Sequence, residues 1–108
     1  MLSISGQVKV FIAAQPTDMR KSFDTLAALV QEVLKLDPLS GHLFMFRGKR
    51  GDGVKILWWD RDGLAIYYKR LEKGTFQFPC GDGASGKSLA ISSTELMQLL
   101  AGCAIAVP

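Results

Sequence analysis

Val54-Lys55-Ile56-Leu57-Trp58-Trp59-Asp60-Arg61-Asp62-Gly63-Leu64-Ala65-Ile66-Tyr67-Tyr68-Lys69-Arg70-Leu71 is the stretch that decides the fold. Two runs rich in aliphatic and aromatic residues flank Asp60-Arg61-Asp62-Gly63, four residues with strong turn preference, so the whole reads as a β-hairpin. The spacing predicts a type I turn with its positive φ at Gly63. Adjacent strand residues point to opposite faces. One tryptophan and one tyrosine of each pair are therefore expected in the core, and their neighbours nearer solvent.

Working outward, Leu43-Phe44-Met45-Phe46 reads as a further strand. It is joined to the hairpin by Arg47-Gly48-Lys49-Arg50-Gly51-Asp52-Gly53, a loop of three basic residues and three glycines. Thr75-Phe76-Gln77-Phe78 is expected to add another strand before Pro79. Near the N-terminus, Val8 to Ala13 is a strand that Pro16 ends, and Thr17 or Asp18 is the expected cap of a helix. From Met19 the period changes: Met19, Phe23, Leu26, Ala27, Val30, Val33 and Leu34 recur at helical spacing up to Asp37-Pro38. After a glycine-rich linker, Gly81 to Gly86, Leu89-Ala90-Ile91 reads as strand or loop. Ser92 with Glu95 then forms a capping box ahead of Leu96, Leu99 and Leu100, with Gly102 as terminator. The expected fold is α+β: an antiparallel β-meander of about four to six strands, one longer N-terminal helix and a short C-terminal helix. Residues 1–108 are expected to form a single domain.

Composition narrows the function. Of 108 residues, 32 are Leu, Ile, Val or Phe, enough for a core without disulfides or metal. A multi-domain enzyme or self-sufficient transposase does not fit this length. The longest apolar run, Leu99 to Val107, is nine residues, well short of the ~20 that span a bilayer. Met1 to Gly6 lacks the basic and apolar regions of a signal peptide, so a cytoplasmic protein with no membrane partner is expected. Two cysteines, Cys80 and Cys103, and one histidine, His42, have no metal-ligand spacing. Reduced thiols and no metal site are the expectation.

The net charge of +3 is unevenly placed. Between Arg47 and Lys73 stand eight basic and four acidic residues, while the remainder is slightly acidic. Such a segment suits a polyanion, because phosphate neutralisation supplies most non-specific affinity for nucleic acid. Gly81-Asp82-Gly83-Ala84-Ser85-Gly86-Lys87-Ser88 matches the P-loop pattern letter for letter. Its surroundings argue against nucleotide binding: no buried strand leads into it, and no helix opens from it. With one histidine, no nucleophile–base constellation can be assembled. No catalytic residue and no cofactor are expected.

Several segments, in order, resemble one family. They are Pro16-Thr17-Asp18-Met19-Arg20-Lys21-Ser22-Phe23-Asp24, Leu36 to Phe44, Phe46-Arg47-Gly48-Lys49-Arg50-Gly51-Asp52, Lys55-Ile56-Leu57-Trp58-Trp59-Asp60, Gly63, and Tyr68 to Gly74. The chain resembles the TnpB accessory proteins (Orf-two-like) of bacterial insertion sequences of the IS-sixty-six type. The resemblance implies a small non-catalytic protein encoded beside a separate transposase and needed for efficient transposition of the element. Its implied partners are double-stranded DNA of the element and that transposase. The family's motif residues suited to DNA contact fall on Arg20, Lys21, Arg47, Lys49, Arg50, Lys55, Lys69 and Arg70. Position 22, often glycine in the family, is Ser22, and position 53, commonly basic, is Gly53.

Two functions are carried forward. In the first, a basic hairpin face contacts element DNA alongside the transposase. In the alternative, Trp59 and Tyr68 dock the transposase, and the protein is an adaptor that does not bind DNA.

Overall fold

The computed structural model describes residues 7–78 and 86–101. Five strands and two helices follow in the order β1 (Val10–Ala13), α1 (Phe23–Glu32), β2 (Leu43–Arg47), β3 (Gly53–Asp60), β4 (Gly63–Arg70), β5 (Ser88–Ile91) and α2 (Ser93–Leu100). They build one sheet in the order β4-β3-β2-β1-β5. The β2–β3–β4 part is the antiparallel meander the sequence predicts. The rest is not. β1 lies between β2 and β5, parallel to β2 and antiparallel to β5, so the sheet is mixed. The parallel pair is made possible by α1, because parallel strands need a long crossover and the segment between β1 and β2 supplies one.

Side chains alternate between two cores. On one face Val10, Ile12, Leu43, Met45, Val54 and Ile56 pack against Leu96, Leu99 and Leu100 of α2. On the other, Ala13, Phe44, Phe46 and Leu57 pack against Leu26 and Val30 of α1, with Leu34 just beyond it. Strands β1 to β3 are thus apolar on both faces, and a helix covers each. Burying each large side chain there contributes about 1.5–3 kcal/mol.

Helix α1 starts four residues later than the periodicity suggests, at Phe23. Asp18 does not cap it. Its carboxylate accepts from the Arg20 N–H at 2.9 Å and from the Arg20 guanidinium, and its carbonyl accepts from the Lys21 N–H at 3.1 Å. The N-cap is Ser22, whose N–H donates to Thr25 Oγ1 at 3.0 Å. Met19 therefore lies ahead of the helix, and Phe23 and Val33, expected on its buried face, are 45% and 46% exposed. At α2 the expected capping box is present. The Glu95 N–H donates to Ser92 Oγ at 3.1 Å, and the Ser92 N–H to Glu95 Oε1 at 3.0 Å.

Two further expectations need correction. Thr75–Phe78 is not a strand. The Phe76 N–H donates to the Gly51 carbonyl at 2.9 Å, so the segment is tied to the basic loop instead of a ladder. In the β3–β4 turn the positive φ, +61°, falls on Arg61 and not on Gly63. The Asp62 N–H donates to the Asp60 carbonyl at 2.6 Å across it, which makes the turn tighter than type I. Cys80, Cys103, Gly102 and most of the glycine-rich linker lie outside the described residues.

Candidate nucleic-acid interface

The basic loop between β2 and β3 is anchored on several sides. The Gly48 N–H donates to the Gly53 carbonyl at 3.0 Å, and the Gly51 N–H to that of Gly48 at 3.1 Å. Gly51 takes φ +80°, a left-handed conformation suited to glycine. Asp52 accepts from the Leu71 N–H at 2.7 Å, and Arg47 from the Thr17 N–H at 2.8 Å. Lys49 and Arg50 are left exposed at the tip of this fixed loop.

Beside them runs a groove of about 400 Å³, which Lys49, Arg50 and Arg70 line together with Tyr68. Its apolar part is Met19, which lies against the backbone of Gly48 and Gly53. A Cβ at position 48 would stand 2.9 Å from Met19 Cγ, and one at position 53 would stand 3.5 Å from Tyr68 Cε1. Gly48 thus lets the methionine close over the start of the hairpin, while the Tyr68 ring lies in ordinary contact distance of position 53. Lys55 stands opposite Tyr68 in the ladder, 5.0 Å from its ring centroid, and its ammonium donates to the Lys21 carbonyl at 2.7 Å. Asp18 and Asp52 also reach the groove. The guanidinium of Arg20, 2.8 Å from Asp18, holds that carboxyl well below the usual carboxylate range. Arg50 stands 3.8 Å from Asp52.

The eight basic residues singled out by sequence therefore separate into groups. Lys49, Arg50 and Arg70 meet at the groove, with Lys55 against the Tyr68 ring, while Lys21 meets Lys55 only through its carbonyl and lines a separate crevice beside α1. Arg20 is on the same side, with its charge already matched by Asp18. Arg47 and Lys69 are elsewhere. Arg47 donates to the Ala14 carbonyl at 2.9 Å and lies 5.6 Å from the Phe78 ring centroid. Lys69 points to the α2 face, where its ammonium donates to the Leu100 carbonyl at 2.8 Å. It supplies a cation at a helix C-terminus that has no basic residue of its own.

Among the aromatics, Tyr68 is 49% exposed. Trp58 and Tyr67 pack on the α2-side core, and Trp59 is half-buried. Trp59 shares a face with Tyr68 but stands four ladder positions away, about 13 Å. The two do not form one patch. Sequence reasoning missed Met19 as part of the site because its spacing fits the helix that follows. The glycines on both sides of Lys49-Arg50 were the available signal.

A second, mostly apolar crevice of about 270 Å³ opens between α1 and the β1–α1 connection, lined by Ala13, Leu29, Val33, Leu34 and Phe46 with Lys21 and Lys87 among its polar residues. In the P-loop match, Ser88 opens β5, where nucleotide binding requires a helix. Among the described residues no group of three or more His, Cys, Asp or Glu side chains could hold a metal ion, and no helix is long and apolar enough to cross a membrane.

Residues 8–108 match the family described as IS66 Orf2 like protein. Two proteins of Sinorhizobium fredii (strain NBRC 101917 / NGR234), both uncharacterized, are similar throughout. The protein y4hO is 47% identical over 102 residues, covering 94% of this chain and 86% of its own length. The protein y4jC is 39% identical over 103 residues, covering 94% and 85%. No solved structure matches the chain. With every residue from Val8 onward inside the match, the groove included, the chain belongs to the IS66 Orf2-like family of insertion-sequence-associated proteins.

Proposed function

We propose that this protein is a non-catalytic accessory factor of insertion-sequence DNA transposition, acting in the cytoplasm beside the transposase of the same element. It binds double-stranded element DNA through the hairpin face that carries Lys49, Arg50 and Arg70, with Lys21 and Lys55 adding positive potential. Three exposed cations from two different elements converging on one groove is the observation that carries this reading. Cations so placed neutralise neighbouring phosphates together, and that is what gives a non-specific DNA site its affinity.

The adaptor reading is supported by the apolar crevice beside α1, where Val33 is 46% exposed, and by half-buried Trp59. Both surfaces suit a protein partner such as the transposase. One experiment separates the readings. A Lys49→Ala, Arg50→Ala, Arg70→Ala triple variant is compared with the native protein for binding to element-end duplex and for co-purification with the transposase. Loss of duplex binding with the transposase retained supports DNA contact. Native protein that shifts no duplex at low salt, yet holds the transposase through nuclease and high salt, makes the adaptor the function.

A further inference from the structure

We propose that the Tyr68 groove is a slot for one unpaired nucleotide, its base stacked on the tyrosine and its flanking phosphates on Lys49, Arg50 and Arg70. The proposal rests on the reading that this face meets nucleic acid, and it specifies the form of nucleic acid that fits.

A duplex offers phosphates and groove edges but keeps the flat faces of its bases stacked within. It can satisfy exposed cations on a surface, and it has nothing to put against an aromatic ring inside a recess. Here the cations and the ring come together. Tyr68 is 49% exposed although it belongs to a regular strand. Its ring is held in place: Lys55 lies 5.0 Å from the centroid, and the Lys55 ammonium is fixed on the Lys21 carbonyl. Met19, seated over Gly48 and Gly53, adds an apolar surface next to it. The volume of about 400 Å³ is in the range of sites that hold a small ligand such as a single nucleotide. Asp18 is held by the Arg20 guanidinium at 2.8 Å and Asp52 stands 3.8 Å from that of Arg50, so Lys49, Arg50, Arg70 and Arg20 outnumber the two carboxylates and the groove keeps a net positive charge. Stacking on an aromatic side chain beside a cationic track is how proteins hold single-stranded nucleic acid with little regard to sequence.

The test measures fluorescence anisotropy with a blunt duplex and with the same duplex carrying a short single-stranded tail. Native protein is expected to bind the tailed duplex roughly tenfold tighter, the range of a single base–aromatic stack. Tyr68→Ala should bring the ratio of the two affinities close to one, and Tyr68→Trp should keep it. Thermal melting confirms that each variant is folded, and the native comparison decides the matter even if Tyr68→Ala is not. Equal binding of both DNAs by native protein overturns the slot while leaving duplex binding intact. A preference for the tail that survives in folded Tyr68→Ala also overturns it. If native protein binds neither DNA, the DNA reading falls and the slot with it.

Discussion

The two faces of the sheet use the same residue types in opposite ways. On the α2 side Lys69 and Arg47 each give a hydrogen bond to a backbone carbonyl, those of Leu100 and Ala14. Their charge completes the fold. On the α1 side Lys55 is held in the same way on the Lys21 carbonyl. Lys49, Arg50 and Arg70 instead line an open groove, where Arg50 stands in a loose 3.8 Å pair with Asp52. Their charge is available to a ligand. A basic segment in a sequence therefore overstates the cations able to contact a ligand directly by however many are committed to carbonyls, and only the fold sorts them.

The comparison holds only if both faces belong to one cooperative unit, and breaking the core tests that with the largest effect. Phe44→Ala on the α1 side and Leu99→Ala on the α2 side each remove a side chain that is 1% exposed or less. Losses of about 3–5 and 2–5 kcal/mol are expected. Urea unfolding should stay a single transition with an unchanged slope in both. Two separated transitions would mean that the faces unfold independently.

Next in size are the committed cations. Arg47→Met and Lys69→Met each leave a carbonyl without its donor, at a cost of about 1–3 kcal/mol if water does not replace it. Duplex affinity should change little once the variants are studied well below their melting points. A loss of affinity matching that of Arg50→Ala would erase the distinction between the faces.

The free cations should show the reverse pattern. Arg50→Ala is expected to leave the urea midpoint within about 0.5 kcal/mol of native stability. It should lower the dependence of log affinity on log salt by about 0.9. An unchanged salt slope would mean that Arg50 does not meet a phosphate.

This division was only partly legible in the sequence. The hairpin Val54–Arg70 and the α2 cap at Ser92 are local features, set by alternation and by a box four residues long, and both are where the pattern places them. The position of β1 between β2 and β5 depends on pairings across 30 residues or more, and no local signal carries it. The start of α1 was hidden because Asp18, a good cap in isolation, is taken by Arg20 two residues on. The segment at Thr75 has strand-like composition, but its Phe76 N–H is spent on Gly51. The roles of Arg47 and Lys69 rest on carbonyls 33 and 31 residues distant. Alternation places one tyrosine of the Tyr67–Tyr68 pair toward the core without saying which; the fold turns Tyr67 to the α2 core and leaves Tyr68 exposed.

The smallest effect concerns the cation between the two classes. Arg20 is 91% exposed, yet its guanidinium donates to Asp18 at 2.8 Å. The side-chain bonds from Arg20 are the main reason the Asp18 carboxyl is held below the usual range, followed by the backbone N–H of Arg20. A depressed carboxyl pKa adds stability above the ordinary carboxylate range and loses it only as pH falls through the lower folded value. Asp18 thus stays ionised from neutral to mildly acidic pH and keeps cancelling Arg20 throughout. In so exposed a pair the stabilisation is slight, so the clearer readout is the charge. Asp18→Asn should release Arg20 to the groove, steepening the salt dependence of duplex binding by up to about 0.9 with a nearly unchanged urea midpoint. The gain should be the same at neutral and mildly acidic pH, because the native carboxylate is ionised at both. If the steepening is absent, Arg20 does not reach the DNA, and the free class reduces to the residues around Tyr68.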